Sequence, residues 1–324
     1  QTQEKLENFR ALGGAQSYPS RTKDTDDVDF STGSVGLGVA ETLFGSMVRD
    51  YVRLHELDGQ RPNDRMVALM GDAELDEGNV FEALLEGWKH DVRNLWWVID
   101  YNRQSLDGVV HDYLFQRIAD FFGSVGWKVI EIKYGKLLEA AFRKPGGKAL
   151  QKWIDNCPNQ LYAALTFQGG AAWRTHLQDD LGTVTGIPAL LDAQDDDALQ
   201  RLMTNLGGHD MAATLEAFVS AGDDDTPHCF IAYTIKGFNT PLAGHKDNHS
   251  GLMNPDQMAG FKASHNIREG HEWDAAEGLD VDAEALQAFL HDVPFAQRRA
   301  PDEVPVIPVE TLPAPGGAQM SSQE

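Results

Sequence analysis

The chain has 324 residues, 42% of them hydrophobic, and a formal net charge of −23. That is enough apolar material for one large α/β domain or two smaller ones, and too much for global disorder. The acidic balance argues against a nucleic-acid partner, which needs a basic stripe, and against anionic membrane surfaces. In chain order, Lys5 to Leu12 reads as the end of a helix and Gly13 to Asp29 as a polar connection. The Gly-rich string STGSVGLG, Ser31 to Gly38, opens a long amphipathic helix over Gly36 to Leu57. An apolar run, Met66 to Met70, predicts a strand that stops at Gly71-Asp72. Helical periodicity follows over Val80 to Trp88, then a second strand over Leu95 to Ile99 that ends in Asp100-Tyr101-Asn102. His111 to Phe122 reads as a helix, Trp127 to Ile132 as a strand, and Gly135 to Asn156 as mostly helical. Gly169 to Pro188 is weakly patterned; Asp196 to Leu206 and Met211 to Ser220 read as helices, and His228 to Thr234 as a buried strand. A polar loop rich in Gly, His and Asn runs from Lys236 to Met253, and from Pro301 the composition is that of a linker.

The acidic runs at 24–27, 195–197 and 223–225 read as solvated caps and loops, the one at 195–197 as a helix N-cap. No apolar run approaches the roughly 18 residues of a membrane span, and no signal peptide is visible. Cys157 and Cys229 stand in no metal-type spacing. A reducing compartment, and with it a cytoplasmic location, is therefore the expectation.

The strand, loop, helix and strand from Met66 to Asn102 form the pattern of a right-handed parallel unit. Both strands of such a unit end on one edge of the sheet, where open parallel sheets bind ligands. Asp72 and Asn102 can therefore face one crevice. Their types suit a magnesium diphosphate: a carboxylate oxygen, an amide oxygen and a nearby backbone carbonyl such as that of Gln104. Gly71 permits a sharp turn, and the amides that open the helix after Glu77 can face a phosphate. The alternative is a solvated acidic loop between two core elements.

The segment resembles the thiamine diphosphate motif, which begins Gly-Asp-Gly and ends in Asn after about thirty residues. Within that superfamily the strings GDAELDE at 71–77 and NRQSLDG at 102–108 are most similar to the homodimeric decarboxylating component of bacterial pyruvate dehydrogenase. The resemblance assigns Mg2+ to Asp72, Asn102 and the carbonyl of Gln104. It places Gly71, Asp72, Ala73 and Glu74, with Asn102 and Gln104, around the cofactor. Ala73 stands where Gly is usual, and Asp100 where the family's first Asn falls. By the same resemblance the backbone at Gly33 and Val35, in STGSVGLG, contacts the aminopyrimidine, whereas taken alone those glycines read as helix packing. His249, in the loop GHKDNHSGLMN, matches the family's catalytic His, and Lys236, in TIKGF, the Lys just upstream. The bland alternative is a surface loop with incidental histidines; an i,i+4 zinc pair of His245 and His249 is disfavoured by the local Gly and Asn content. Tyr18, in Ser-Tyr-Pro, matches a residue on the substrate side. Gly207 to Asp210 (GGHD) also resembles a string of these enzymes, and reads locally as a Gly C-cap followed by an Asp N-cap.

The resemblance implies an α/β fold with a doubly wound, mostly parallel sheet and helices on both faces. It implies one diphosphate-binding domain over 1–300, and a linker over 301–324 leading to an absent pyrimidine-binding domain that supplies the activating Glu. Gln1 stands where an initiating Met would, so an excerpt of a longer chain is expected, with active-site histidines upstream. The implied activity is oxidative decarboxylation of a 2-oxo acid, most simply pyruvate, with acyl transfer to the lipoyl domain of an acyltransferase component, in a homodimer. The alternatives are a transketolase-like two-carbon transfer between sugar phosphates and a non-catalytic domain that binds cofactor or a partner.

Overall fold

In the computed structural model four parallel strands carry the architecture, and the described residues are 2–24, 28–57, 65–105, 108–109 and 111–293. The strands are β1 (Met66–Gly71), β2 (Leu95–Tyr101), β3 (Lys128–Ile132) and β4 (His228–Tyr233), in the spatial order β1-β2-β4-β3. The register sets Gly71 opposite Asp100, Tyr101 opposite Tyr233, and Lys128 opposite His228. All four strands therefore end on one edge, which is the α/β parallel arrangement expected from the sequence.

Alternation along the strands separates two faces. On the first, Ala68 and Met70 of β1, Leu95, Trp97 and Ile99 of β2, and Cys229 and Ile231 of β4 enter the main core. Helix α1 (Leu37–Leu54) contributes Val39, Ala40 and Leu43, and α2 (Gly78–Lys89) contributes Val80, Ala83 and Leu84. Trp97 is fully buried, and its Nε1 donates to Thr42 Oγ1 of α1 at 3.3 Å. On the second face the helix α3 (Met211–Ala221) packs Ala213 and Ala221 against Ile132, Phe230 and Ala232. Val67 and Leu69 of β1 point to that second face and are exposed, so β1 is covered on one side only.

Several elements differ from the sequence reading. The N-terminal helix is short, Gln3–Glu7. The weakly patterned stretch is helical over Gly170–Leu181, preceded by a helix over Asn159–Gln168. Its buried face is marked by only two large residues, Trp173 and Leu177, which hides the periodicity. Asp195 and Asp210 each cap a helix, accepting from Ala198 N at 2.7 Å and Ala213 N at 3.1 Å. The helix before Gly207 ends at Met203 with Thr204 as its cap, so Gly207 opens a 3-10 turn and is no C-cap. The run at 223–225 is not merely solvated: Asp224 pairs with Lys128, and Asp225 with Arg93 at 3.2 Å.

The chain forms two units, 1–261 and 262–324. In the second, Arg268 grips Glu277 with two bonds, 2.7 and 2.8 Å long, and Asp282 caps a helix over Ala283–Asp292. The Pro-rich segment 301–324, read as a linker, lies outside the described residues. Among the described residues no helix is long and apolar enough to cross a membrane.

The two faces of the sheet separate in a mutational test. Trp97→Ala is expected to lower the unfolding free energy by about 3–5 kcal/mol through lost burial and a cavity. Leu69→Ser, at a side chain 76% exposed, is expected to change it by under about 0.5 kcal/mol. Urea denaturation of the two variants checks both.

Candidate functional site

Past the end of β1 the chain tightens into a 3-10 turn, Asp72–Asp76, and past the end of β2 it bends through Asn102, Arg103 and Gln104. Arg103 sits in the left-handed region with φ 66°, and this bend turns its N–H back toward β1. That N–H donates to Asp72 Oδ2 at 2.9 Å. Asp72 is 3% exposed, and its other oxygen, Oδ1, is buried with no partner. Burial lifts the Asp72 carboxyl from the usual 3.8 to about 6, against the N–H groups of Arg103 and Ala73, while the Asp100 charge pushes it further up.

Asn102 Oδ1 accepts from Gln104 N at 3.0 Å, which fixes the amide over its own turn and leaves a second lone pair. Gln104 is buried, and its Nε2 donates to the carbonyl of Gly244 at 3.4 Å. Lys236, just past β4, accepts at its carbonyl from Gly244 N at 3.3 Å and from Asn248 Nδ2 at 2.9 Å. Asn102, Arg103, Gln104, Lys236 and Gly244 line one small pocket, and Asp72 joins it through the Arg103 amide. The sheet edge thus brings together Asp72, Asn102, Gln104 and Lys236. His249 is exposed on the loop one position after Asn248. That loop consists of turns, so His245 and His249 do not share a helix face, and His245 packs against Phe167.

Glu74 ties a second group of residues to the edge. Its Oε1 accepts from Gly71 N at 3.1 Å and its Oε2 from Gly36 N at 2.9 Å. Its carboxylate therefore clamps the Gly-rich segment to the turn after β1. Gly36 has φ 80°, and a Cβ there would lie 2.9 Å from Asn79 Oδ1 and 3.0 Å from Glu77 Cβ, so only glycine fits. In the same segment Gly33 faces the ring of Tyr18: a Cβ at Gly33 would sit 3.4 Å from Tyr18 Cδ2. Tyr18 and Val35 are about half exposed, at 55% and 50%. Ala73 lies in the turn beside Asp72.

Three residues that the sequence reading did not assign to the site complete the edge. Arg103 lays its guanidinium over the Tyr162 ring, 4.3 Å from the centroid, and donates to the Thr234 carbonyl at 3.2 Å. His209 accepts from Ile235 N at Nε2, 2.8 Å, and stacks on Phe238 at 3.7 Å. Burial lowers its pKa, which keeps the ring neutral as that acceptor requires. Asp100, the departure from Asn, accepts from the hydroxyl of Thr234. The only signal for His209 was its place in the GGHD string; Arg103 sat unremarked between two candidate ligands.

A buried carboxylate oxygen without a donor, beside an amide oxygen and backbone carbonyls, is a hard all-oxygen set that suits Mg2+ rather than zinc. The set lies at the carboxyl edge of a parallel sheet, where open sheets bind ligands.

Residues 1–144 match the family of transketolase thiamine diphosphate-binding domains, so the chain carries a thiamine diphosphate-binding domain of transketolase type. Its relatives include pyruvate dehydrogenase E1 components. That of Haemophilus influenzae is 27% identical over 268 residues, covering 81% of this chain and 30% of the relative. That of Cupriavidus necator is 30% identical over 254 residues, covering 76% and 28%. The chain thus spans about a third of these relatives' length or less. A transketolase variant from Pichia stipitis superposes with a TM-score of 0.50 at 16% identity, over 88% of this chain and 31% of that one, which shows the shared fold.

The raised Asp72 pKa makes a signed prediction. The neutral acid is the cheaper form in the fold, so this stabilisation is complete below about pH 4 and is lost as pH rises through about 6. A divalent cation needs the carboxylate, so its affinity is expected to fall as pH drops through about 6. Asp72→Asn retains an acceptor for Arg103 N and removes the buried charge. In metal-free buffer at pH 8 it is expected to stabilise the chain by about 1–3 kcal/mol while abolishing Mg2+ binding. Denaturation and titration calorimetry check both; a destabilised variant would show that the orphaned oxygen costs the fold nothing.

Proposed function

We propose that the chain is the diphosphate-binding part of a thiamine diphosphate- and Mg2+-dependent enzyme that decarboxylates a 2-oxo acid, most simply pyruvate, and passes the acyl group to a lipoyl domain. The observation that carries this reading is the unpartnered, buried Oδ1 of Asp72 at the sheet edge, beside Asn102 and Gln104. The E1 relatives support the oxo-acid reaction over sugar-phosphate transfer.

Asp72, Asn102 Oδ1 and the Gln104 carbonyl would hold the metal, and the turn from Gly71 through Glu74 would meet the diphosphate. The backbone at Gly33 and Val35 would receive the aminopyrimidine, with Tyr18 on the substrate side. The chemistry supplied by thiamine diphosphate, when bound, is stabilisation of the carbanion left when a 2-oxo acid loses carbon dioxide. His249, on its exposed loop, would act as a general acid or base as the loop closes over substrate, and Lys236 would face an anionic group. A pyrimidine-binding domain would supply the activating Glu, with a homodimer and an acyltransferase's lipoyl domain completing the assembly, in the cytoplasm.

Three measurements test this. Asp72→Ala is expected to abolish Mg2+-dependent thiamine diphosphate binding; unchanged affinity by calorimetry would overturn the site. In the complete enzyme His249→Ala is expected to lower turnover by about 10²–10⁴-fold, the usual worth of general acid–base catalysis, with cofactor affinity unchanged. The 324 residues by themselves are expected not to decarboxylate pyruvate. Assaying the complete enzyme with pyruvate against xylulose 5-phosphate decides the reaction, and turnover of the sugar phosphate alone would favour two-carbon transfer.

A further inference from the structure

A second cavity lies along the same sheet edge, behind Arg103. Its volume is about 50 Å³, and its described lining includes Tyr101, Arg103, Phe115, Lys133, Asp155 and Tyr233. Arg103 also lines the pocket of Asn102, Gln104 and Lys236, so its side chain is part of the wall between the two. Nothing in the proposed decarboxylation uses this cavity.

Its polar groups are unevenly satisfied. Asp155 is engaged twice, by the ammonium of Lys133 and the hydroxyl of Tyr134. Asp112 Oδ1 accepts from Asn159 N at 2.8 Å. Each of these carboxylates is thus engaged through Oδ1, and one of the cavity's two cations, Lys133, is paired. The other cation is not: Arg103 donates to the Thr234 carbonyl and stacks on Tyr162, but forms no ion pair among the described residues. A guanidinium has five N–H donors in a fixed fork, so donors remain. The second unmet group is Tyr233. It is 4% exposed, lines the cavity, and its hydroxyl is buried with no hydrogen-bond partner. A buried hydroxyl without a partner costs about 1–3 kcal/mol, a cost that a bound acceptor removes. The aromatic walls, with Lys133 Nζ held 5.4 Å from the ring centroids of both Phe115 and Tyr233, add a positive, partly desolvated setting.

We propose that this cavity is a second ligand site, for a small carboxylate anion bridged between the Arg103 guanidinium and the Tyr233 hydroxyl. Arg103 and Tyr233 line the same space and both keep donor capacity, which suits a ligand with two acceptor oxygens. A planar carboxylate matches the guanidinium fork. Size limits the ligand. One water needs roughly 10–15 Å³ of such space, so the cavity takes about three to five water-sized atoms, as in acetate, and excludes di- and tricarboxylates of larger size.

The site does not depend on thiamine diphosphate or Mg2+, so its test is run without either and fails or succeeds independently of the decarboxylase reading. Acetate is the probe, followed by saturation-transfer NMR on the full 324-residue chain, with citrate as the size control at matched ionic strength. Saturable acetate binding is expected, with none for citrate. Tyr233→Phe removes one oxygen and leaves the ring, and Arg103→Gln removes the cation while keeping the backbone N–H to Asp72; each is expected to weaken acetate binding at least about tenfold. Circular dichroism reports whether each variant folds, and if Arg103→Gln does not, Tyr233→Phe decides alone. Absence of saturable acetate binding, equal binding of citrate, or wild-type affinity in Tyr233→Phe would overturn the proposal and leave a cavity filled by water.

Discussion

A carboxylate with one oxygen bonded and the other bare, shut away from water, is the constraint around which this sheet edge is built. Moving an ionised carboxyl out of water costs several kcal/mol unless a partner compensates. Two backbone amides, of Arg103 and Ala73, serve Asp72, and Oδ1 has none. The neighbouring geometry follows from keeping it there. The parallel register brings Gly71 and Asp100 level, the left-handed Arg103 returns its amide across the gap, and Glu74 anchors the turn through Gly71 and Gly36. Such local cost is expected where a protein must hold a charge ready for another charge.

Arg103 links more of this edge than any ligand candidate does. Its amide serves Asp72, its guanidinium reaches the end of β4 at Thr234, and its stacking on Tyr162 involves the helix over Asn159–Gln168. The end of β4 is held again by His209, whose neutral ring accepts from Ile235 N. Lys236 and the loop carrying His249 leave from that doubly pinned point. A rigid base with a polar loop above it is the usual division between positioning and movement.

The parts of the fold legible in the sequence were those whose signal is local. The apolar runs at 66–70, 95–99 and 228–234 alternate or bury fully because the strands lie in a covered sheet, and the Asp caps at 195 and 210 announce their helices by residue type. The helix over Gly170–Leu181 was not legible, because Arg174, Thr175 and His176 separate its two large buried residues and Gly169-Gly170 reads as a break. At the site, Asp72 and Asn102 stood out by type and spacing, and the Gln104 carbonyl by the family resemblance. Arg103 and His209 did not, because their roles are defined by partners elsewhere in the chain: Thr234 for one, Ile235 for the other. Asp100 looked like a defect in the motif until its partner Thr234, 134 positions away, was placed.

That separation has a consequence for how the protein is made. Strands β1 and β2 can pair once both have left the ribosome, but the neighbour that closes the other side of β2 is β4, synthesised after the eight α-helices described between them and β3. Until then Asp100, Arg103 and Gln104 have no Thr234 or Gly244 to bond, the latter 140 positions downstream of Gln104. At about 5–20 residues per second, elongation leaves this edge incomplete for roughly seven to thirty seconds. Non-local parallel pairing is also slow in itself. A nascent chain of this kind exposes an apolar half-sheet for that interval, which makes the period of synthesis, more than the finished fold, the time when it depends on holding factors in the cell.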